Sequence, residues 1–275
     1  MPKRRRKNPG KKVAAKRANT TAPAQPAEPK KNDVDGTAAA TTAVSLHVPI
    51  DSQCQLSNKY HVVYREGNKN VYNATLNQSN VAANNNKFYV MQILESSSPS
   101  KNQYSVWFRW GRIGRTNGSS LLAAGDDLEK AKREFEKKFC AKSGNAWANK
   151  DAFVKKKGKY DLIAIDYEPI TNEKAAAASS SSKTGSGAVT AVDVKYTPLG
   201  KLTKGQVISG YESLERISEI INARGSRRIN RRVALTAAAS EFYTRIPHDF
   251  GMRRQPLIET PQQLKEKRQL LDSLN

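Results

Sequence analysis

A series of strand-like segments in the first half of the chain limits its fold more than any other feature does. Each segment is rich in aromatic and β-branched side chains and is bounded by turn-forming residues, a pattern typical of antiparallel strands. The four segments are residues 60–64, 71–76, 87–94 and 104–112. The first two favour a hairpin. Because side chains alternate across a strand, Trp110 and Arg112 should point to the same side of the sheet.

One amphipathic helix follows these strands. Its apolar residues recur every three or four positions and should form a buried stripe, made of Leu128, Ala131, Phe135 and Phe139. Asp126 or Asp127 can cap the start of the helix, and Gly144 can end it. The segment 160–165 has the composition of a last strand. A helix packed on an antiparallel sheet predicts an α+β domain over residues 51–170.

The second half of the chain favours helices. A low-complexity Ala/Ser/Gly stretch within residues 171–194 predicts a flexible linker. Thr203 can cap a helix with a continuous apolar stripe, and a second stripe follows it. Thr260 followed by Pro261 has the pattern that starts a third helix. Residues 195–275 are therefore expected to form a helical bundle.

The chain is strongly basic, and its N-terminal segment is the part least able to fold. With 47 Lys and Arg against 25 Asp and Glu, the formal net charge is +22, which indicates a polyanionic partner such as DNA or RNA. Residues 1–50 hold few large apolar side chains, so we expect a disordered basic tail there. Its basic cluster predicts a nuclear import signal or a nucleic-acid-binding arm, the alternative being a solvated tail without a receptor. The cluster consists of Lys3, Arg4, Arg5, Arg6 and Lys7.

Composition excludes several other classes of protein. No apolar run approaches the ~18–20 residues of a membrane span, so no membrane partner is expected. The start of the chain lacks the apolar core of a secretory signal. Two cysteines are too few for a disulfide framework or a four-cysteine zinc site, and no metal-ligand spacing occurs, so no metal is expected.

An ordered set of short motifs runs through the predicted α+β domain. The motifs are VYNATLNQSN at 71–80, NNNKFY at 84–89, WGR at 110–112, AKREFEKKF at 131–139, NAW at 145–147 and GKYDL at 158–162. Together they closely resemble the WGR domain of DNA-dependent poly(ADP-ribose) polymerases, and most closely that of the short polymerases without zinc fingers. The resemblance implies a domain that binds broken DNA.

Two further motifs lie in the helical segment, YTPLGKLTKGQVISGYESL at 196–214 and SEFYTRIPHDFG at 240–251. They are similar to the helical autoinhibitory domain that precedes the catalytic domain of the same polymerases. A long helix that normally opens this domain is replaced here by the linker, so we expect an incomplete bundle with partly uncovered apolar stripes. NAD is the cofactor of the full-length family. The chain is expected to stop before the catalytic domain, to bind no cofactor, and to be inactive alone.

The candidate DNA-binding residues follow from the WGR resemblance. An aromatic side chain can stack on the exposed base pair of a DNA end, and a guanidinium can hold its phosphate. The resemblance implies that Trp110 and Arg112 meet the end, with Gly111 allowing close backbone approach. It also implies DNA-backbone contacts from Asn84, Asn86, Lys87, Lys142 and Tyr160. No catalytic residue is expected on this chain.

Other conspicuous side chains have structural explanations. The aromatic residues expected in the core are Trp107, Phe108 and Trp147. Arg109 and Arg115 are interpreted as ordinary surface charges. His248, between Pro247 and Asp249 at a helix end, is expected to have a capping or structural role.

Three functions are consistent with these features. The first is recognition of DNA strand breaks, at an end or a 5′-phosphate, by the regulatory part of an NAD-dependent protein ADP-ribosyltransferase that acts in nuclear DNA repair; the chain would then be a fragment of the enzyme. The second is a stand-alone, non-catalytic regulator that binds DNA ends. The third, more remote, is a basic protein that binds RNA or chromatin without specificity. Broken DNA is the expected partner, with chromatin or repair proteins as further candidates.

Overall fold

The computed structural model describes residues 48–65, 70–98, 103–167, 199–223 and 228–275. The basic cluster at residues 3–7 and the linker predicted at 171–194 lie outside the described residues, as does most of the predicted tail. All the described residues belong to one compact unit, Ala43–Asn275.

An antiparallel sheet of six strands forms the first part of this unit, accompanied by a separate two-stranded ribbon. The strands are β1 (Tyr60–Val62), β2 (Tyr64–Arg65), β3 (Asn70–Val71), β4 (Asn73–Asn80), β5 (Asn85–Ser96), β6 (Tyr104–Arg112), β7 (Arg115–Gly125) and β8 (Asp161–Ile163). Their order in the sheet is β7-β6-β5-β4-β8, and β1 also pairs with β5. The ribbon is β2 with β3.

Two features of the sheet differ from the sequence prediction. The predicted hairpin is reduced to the short β2–β3 ribbon, because β1 pairs with the end of β5 instead of with the strand that follows it. The edge strand β7 was not predicted. Its sequence, RTNGSSLLAAG, contains no aromatic and no β-branched residue other than one threonine, so its strand conformation comes from pairing with β6 along nearly its whole length.

The helices begin and end close to the positions that their capping residues predict. They are α1 (Leu128–Ser143), a 3₁₀-helix (Trp147–Ala152), α2 (Lys204–Asn222), α3 (Arg228–Arg245) and α4 (Pro261–Leu274). Asp127 caps α1, and Gly144 ends it with φ of 75°. Thr203 caps α2, and Thr260 forms a capping box with Gln263 at the start of α4.

One face of the sheet packs against α1. The predicted stripe of this helix meets apolar side chains from the central strands, so that Ala131, Phe135 and Phe139 are fully buried. Trp147, from the 3₁₀-helix, lies edge-on to both phenylalanine rings, with ring centroids 4.8 and 5.0 Å apart. Phe108 and Trp147 are thus core residues, as predicted.

The other face of the sheet is covered by the start of the described chain. Val48 and Cys54 are buried against Trp107, which confirms the predicted core position of this tryptophan. Gln92 donates a hydrogen bond from Nε2 to the carbonyl oxygen of Pro49, 3.0 Å away. Residues 48–50 therefore belong to the folded domain, and the predicted tail boundary at residue 50 is a few residues too late.

The helical segment packs beside β4, on the face of the sheet that the start of the described chain also covers. Helices α2, α3 and α4 share a core that also takes in Ile163 of β8 and the partly buried Val81 after β4. The sheet therefore covers part of the apolar surface that the sequence left open, although Ile208 and Val233 remain more than half exposed. The predicted fold class, an α+β domain followed by helices, is confirmed. Within the described residues, no helix combines the length and the hydropathy needed to cross a bilayer.

Candidate nucleic-acid interface

An open cavity of about 340 Å³ lies where β5 begins and β6 ends, beside the loop that precedes β8. It is lined by Asn85, Asn86, Lys87, Trp110, Gly111, Arg112 and Tyr160. Six of the eight predicted DNA-binding residues are among them. The other two, Asn84 and Lys142, each contact an aromatic or basic side chain of this region.

Strand pairing places the aromatic and basic side chains of the cavity side by side. Tyr89 is paired with Trp110, and Lys87 with Arg112, across β5 and β6. The Tyr89 and Trp110 rings are stacked, with centroids 5.8 Å apart and an interplanar angle of 10°. Tyr160 meets Tyr89 edge-on, with centroids 6.4 Å apart. Trp110 and Tyr160 therefore form one aromatic wall of the cavity, with the buried Tyr89 packed against both.

A glycine on the neighbouring strand lets the Trp110 ring lie flat against backbone. Gly118 of β7 is the cross-strand partner of Trp110. A Cβ atom at this glycine would lie 2.7 Å from Cζ2 of the tryptophan, closer than real side chains approach. Because Trp110 is only partly buried, its position depends on these two neighbours, Tyr89 and Gly118.

Positive charge is concentrated beside this aromatic wall. The Nζ atom of Lys142, at the end of α1, lies 4.8 Å from the centroid of the Tyr89 ring. Partial burial lowers the pKa of Lys142, and the nearby charges of Lys138, Lys159 and Lys87 lower it further. Mutual repulsion among these lysines would be relieved by a bound anion.

The tyrosines of the wall remain uncharged at neutral pH. Burial raises the pKa of Tyr89 to about 12, and burial also raises the pKa of Tyr160. A neutral phenol can donate a hydrogen bond to a phosphate oxygen, whereas a phenolate would repel it. The wall is thus suited to an anionic ligand that also carries flat rings.

Arg112 also lines the cavity, and its guanidinium is bonded to two other segments of the chain. Its Nη1 donates to the carbonyl oxygen of Asn84 at 2.7 Å, and its Nη2 donates to Oδ1 of the same residue at 3.2 Å. Its Nε donates to the carbonyl oxygen of Gly251 at 2.6 Å, and its Nη2 to that of Arg253 at 2.8 Å. Four of its five N–H groups are therefore engaged, two of them with the helical segment.

The two predicted asparagines have different positions. Asn84 lies in the loop before β5 with φ of 52°, a left-handed conformation that asparagine tolerates better than most residues do. Asn86 is fully buried, and its Nδ2 donates to the carbonyl oxygen of His248 at 2.8 Å. Because neighbours on a strand alternate, the side chains of Asn86 and Lys87 point to opposite faces of the sheet. The Asn86 side chain thus contacts the helical segment.

Arg109 is not an ordinary surface charge, contrary to the sequence interpretation. Its side chain is 16% exposed and forms an ion pair with Asp51, with Nη2 2.7 Å from Oδ2. Its guanidinium also lies 4.7 Å from the centroid of the Phe88 ring. The partner is more than fifty residues away in sequence, so periodicity could not reveal this pair. Arg115 is exposed, as predicted.

His248 has the structural position that the sequence suggested. Its ring is stacked on Phe250 with centroids 5.5 Å apart, and its Nδ1 is 2.7 Å from the carbonyl oxygen of Ile246. Burial, and secondarily the charge of Lys267, lower its pKa to about 4. The imidazole is therefore neutral at physiological pH, packed between α3 and α4.

A row of polar side chains on β4 joins the sheet to the helical segment and was missed by sequence reasoning. Asn77 donates from Nδ2 to the carbonyl oxygens of Tyr243 and Thr244, at 2.9 and 2.8 Å. Two residues further along, the Ser79 Oγ donates to Gln255 Oε1 at 2.6 Å. The sequence contains one signal: polar residues occupy every second position of NATLNQSN, a pattern that usually indicates a solvent-facing side of a strand.

Comparison with known proteins places both halves of this arrangement in one class, a WGR domain joined to a regulatory helical domain. The WGR domain family matches residues 72–154, and the poly(ADP-ribose) polymerase regulatory domain family matches residues 184–275. The chain belongs to the poly(ADP-ribose) polymerase family.

Individual relatives agree with this assignment. The chain is 38% identical to human poly [ADP-ribose] polymerase 2 over 90% of its own length and 47% of the relative's. It is 35% identical to poly [ADP-ribose] polymerase 2 of Arabidopsis thaliana, with 80% of the chain and 38% of the relative aligned. It is 34% identical to human protein mono-ADP-ribosyltransferase PARP3, over 82% and 45% of the two chains. The chain thus spans half or less of the length of these relatives.

Proposed function

We propose that this chain recognises strand breaks in DNA through the cavity of its WGR domain. We further propose that it is the sensing and regulatory part of an NAD-dependent protein ADP-ribosyltransferase that acts in DNA repair in the nucleus. The observation that supports the proposal most directly is the stacked Tyr89–Trp110 wall beside Lys87 and Lys142, in a cavity that is also lined by an arginine bonded to the regulatory domain.

An aromatic wall next to clustered lysines fits a DNA end better than it fits intact duplex. Only a break exposes the face of a base pair or a terminal sugar, against which an aromatic ring can pack. The lysine charges can hold the adjacent phosphates, and such contacts carry no sequence information. The chain should therefore recognise the structure of the break and not its sequence.

Arg112 supplies the physical link from this cavity to the regulatory helices. With four N–H groups already engaged, it has one left for a phosphate. A two-bond grip on phosphate would therefore require it to release one carbonyl oxygen. Two of its four acceptors belong to Gly251 and Arg253. Where the phosphate displaces either of these two, DNA contact at Arg112 loosens the bond between the WGR and regulatory domains. We propose this exchange as the signal to the enzyme.

Trp110→Ala tests the aromatic wall. Fluorescence anisotropy on a nicked duplex should show binding weaker by about 1–3 kcal/mol, the range for loss of one stacked aromatic. Binding to a closed circular duplex of the same sequence should change far less. Trp110→Phe, which keeps a ring against Tyr89, should retain most of the affinity. Equal losses on nicked and closed DNA would overturn the proposal.

A further inference from the structure

A loop of the regulatory domain lies next to the proposed DNA site, because it is bonded to one of the side chains that line the cavity. The carbonyl oxygens of Gly251 and Arg253 lie 2.6 and 2.8 Å from the Arg112 guanidinium, which lines the cavity. The backbone of Arg253 is thus bonded directly to a side chain that lines the cavity. Residues 249–255 form this rim loop.

Several contacts hold the rim loop in one conformation. Gly251 has φ of 54°, and its N–H donates to Oδ1 of Asp249 at 2.7 Å. The Asp249 carboxylate packs so closely on Gly114 that a Cβ atom there would lie 2.2 Å from it. Gln255 donates from Nε2 to the carbonyl oxygen of Asn85 and accepts from the Ser79 hydroxyl. The loop is therefore fixed to β4, β5 and the β6–β7 turn.

Exposed cations lie on this loop and on two nearby strands. Arg253 and Arg254 are exposed, as are Arg115 on β7 and Lys87 on β5. None of these four forms an ion pair with any residue that the structure describes. The one carboxylate of the loop, Asp249, is turned inward to Gly251 N and Gly114. Exposed cations without an acidic partner, on a loop bonded to a side chain of the cavity, are suited to phosphates of a polyanion.

We propose that the rim loop is a second DNA-contacting element, in which Arg253 and Arg254 bind backbone phosphates of the duplex beside the break. The inference rests on the proposed function of the Trp110 cavity. It assigns part of the DNA surface to the regulatory domain, so that this domain contributes to DNA affinity while it is docked.

The test compares two double variants that lose the same charge. Arg253→Ala/Arg254→Ala removes the rim arginines, and Arg232→Ala/Lys265→Ala removes two exposed cations on the outer sides of α3 and α4. Affinity for a nicked duplex is measured over a series of salt concentrations. Loss of two phosphate contacts should reduce the slope of log K against log salt by about 2 and weaken binding about tenfold at moderate salt. The control variant should change the slope by less than half as much.

The outcomes separate this inference from the proposal on which it rests. If the rim variant matches the control while the wild-type chain still prefers nicked over closed duplex, the rim loop does not contact DNA and the inference fails. If the wild-type chain binds nicked and closed duplex equally, the proposed function itself fails. Thermal unfolding of both variants should match the wild type, because all four side chains are exposed.

Discussion

Trp110 is held in place by its neighbours and not by burial. The Tyr89 ring stacks on it and Gly118 leaves room for it against β7. A partly exposed aromatic side chain normally adopts several rotamers, and ordering it on binding costs free energy. Two fixed neighbours reduce that cost, so the ring is already ordered for the DNA end that we propose as its ligand.

Gly118→Ala tests this preparation without altering Trp110 itself. A methyl group at this position would collide with the tryptophan ring, so the ring must move away from β7. We expect affinity for nicked duplex to fall about threefold to tenfold, a fraction of one aromatic stacking contact. Ser120→Ala, at an exposed position of the same strand, is the control. Unchanged affinity in Gly118→Ala would mean that the orientation of the ring does not matter.

His248 makes the packing of the regulatory helices dependent on pH. Its pKa is lowered from 6.5 to about 4, so the unfolded chain binds more protons than the folded chain between these values. This contribution to stability is complete above about pH 6.5 and is lost as the pH falls towards 4. The full effect is on the order of 3 kcal/mol. Lys267 is the charged group that faces the imidazole, and burial lowers its own pKa.

Urea denaturation at pH 7.5, 6 and 5 checks this dependence by comparing wild type with His248→Gln. The glutamine variant cannot gain a proton, so it should lose less stability than the wild type does on acidification. If the free energy of unfolding falls equally in the two proteins on acidification, His248 is not the group responsible.

Sequence reasoning identified most residues of the cavity but not their partners. Trp110 and Lys87, which the resemblance to the WGR domain named, both line the cavity. Their contact with DNA stays a prediction. The ion pair of Arg109 with Asp51, and the bond from Asn86 to the carbonyl of His248, join segments far apart in sequence. Such pairs depend on how elements pack, and no local pattern encodes them.

At the scale of elements, the clearest predictions came from helices with strong capping residues. Asp127, Thr203 and Thr260 each cap the helix that the sequence assigned to them. The strand β7 was missed because edge strands need few apolar residues when one neighbour supplies the hydrogen bonds. Capping is a local property, whereas strand pairing depends on the rest of the sheet.

The strand β4 and the helix α3 are joined by a side chain that completes the end of the helix. The carbonyls of Tyr243 and Thr244 lie in the last turn of α3, where helical partners are missing, and Asn77 bonds to both. Asn77 is fully buried. The WGR domain thus stabilises a regulatory helix directly.

Asn77→Ala should loosen α3 without unfolding the sheet. Two buried carbonyls would lose their donor, at a cost of about 1–3 kcal/mol. Hydrogen exchange followed by mass spectrometry should show faster exchange in residues 228–245 and unchanged exchange in β5 and β6. Gln78→Ala, the next residue on the same strand, bonds only to the exposed 158–159 turn and serves as the control. Equal protection of α3 in both variants would contradict the assignment.

In the molecule as a whole, part of the positive charge lies where the WGR and regulatory domains meet. The net charge of +22 is spread over the tail and both folded parts. The cavity and the rim loop place a share of it at one site, where the WGR and regulatory domains meet. Any DNA bound there would contact the sensor and reach the bond from Arg112 to the regulatory helices.

Removal of residues 1–42 should separate the contribution of the tail from that of the folded unit. We expect the slope of log K against log salt to decrease, because the tail carries many cations that release counterions on binding. The preference for nicked over closed duplex should remain. Deletion through residue 50 should also lower the thermal midpoint, since Val48 is buried against the sheet. A slope unaffected by the shorter deletion would show that the tail does not touch DNA.

A competition between two forms of one duplex shows whether the chain recognises breaks in DNA. The unmodified chain is bound to a labelled nicked minicircle and displaced either by unlabelled nicked minicircle or by the same minicircle after ligation. Ligation restores one bond, keeps the sequence and removes only about one phosphate charge from the whole minicircle. We therefore predict that the ligated form competes at least tenfold less well. Equal competition by the two forms would contradict it.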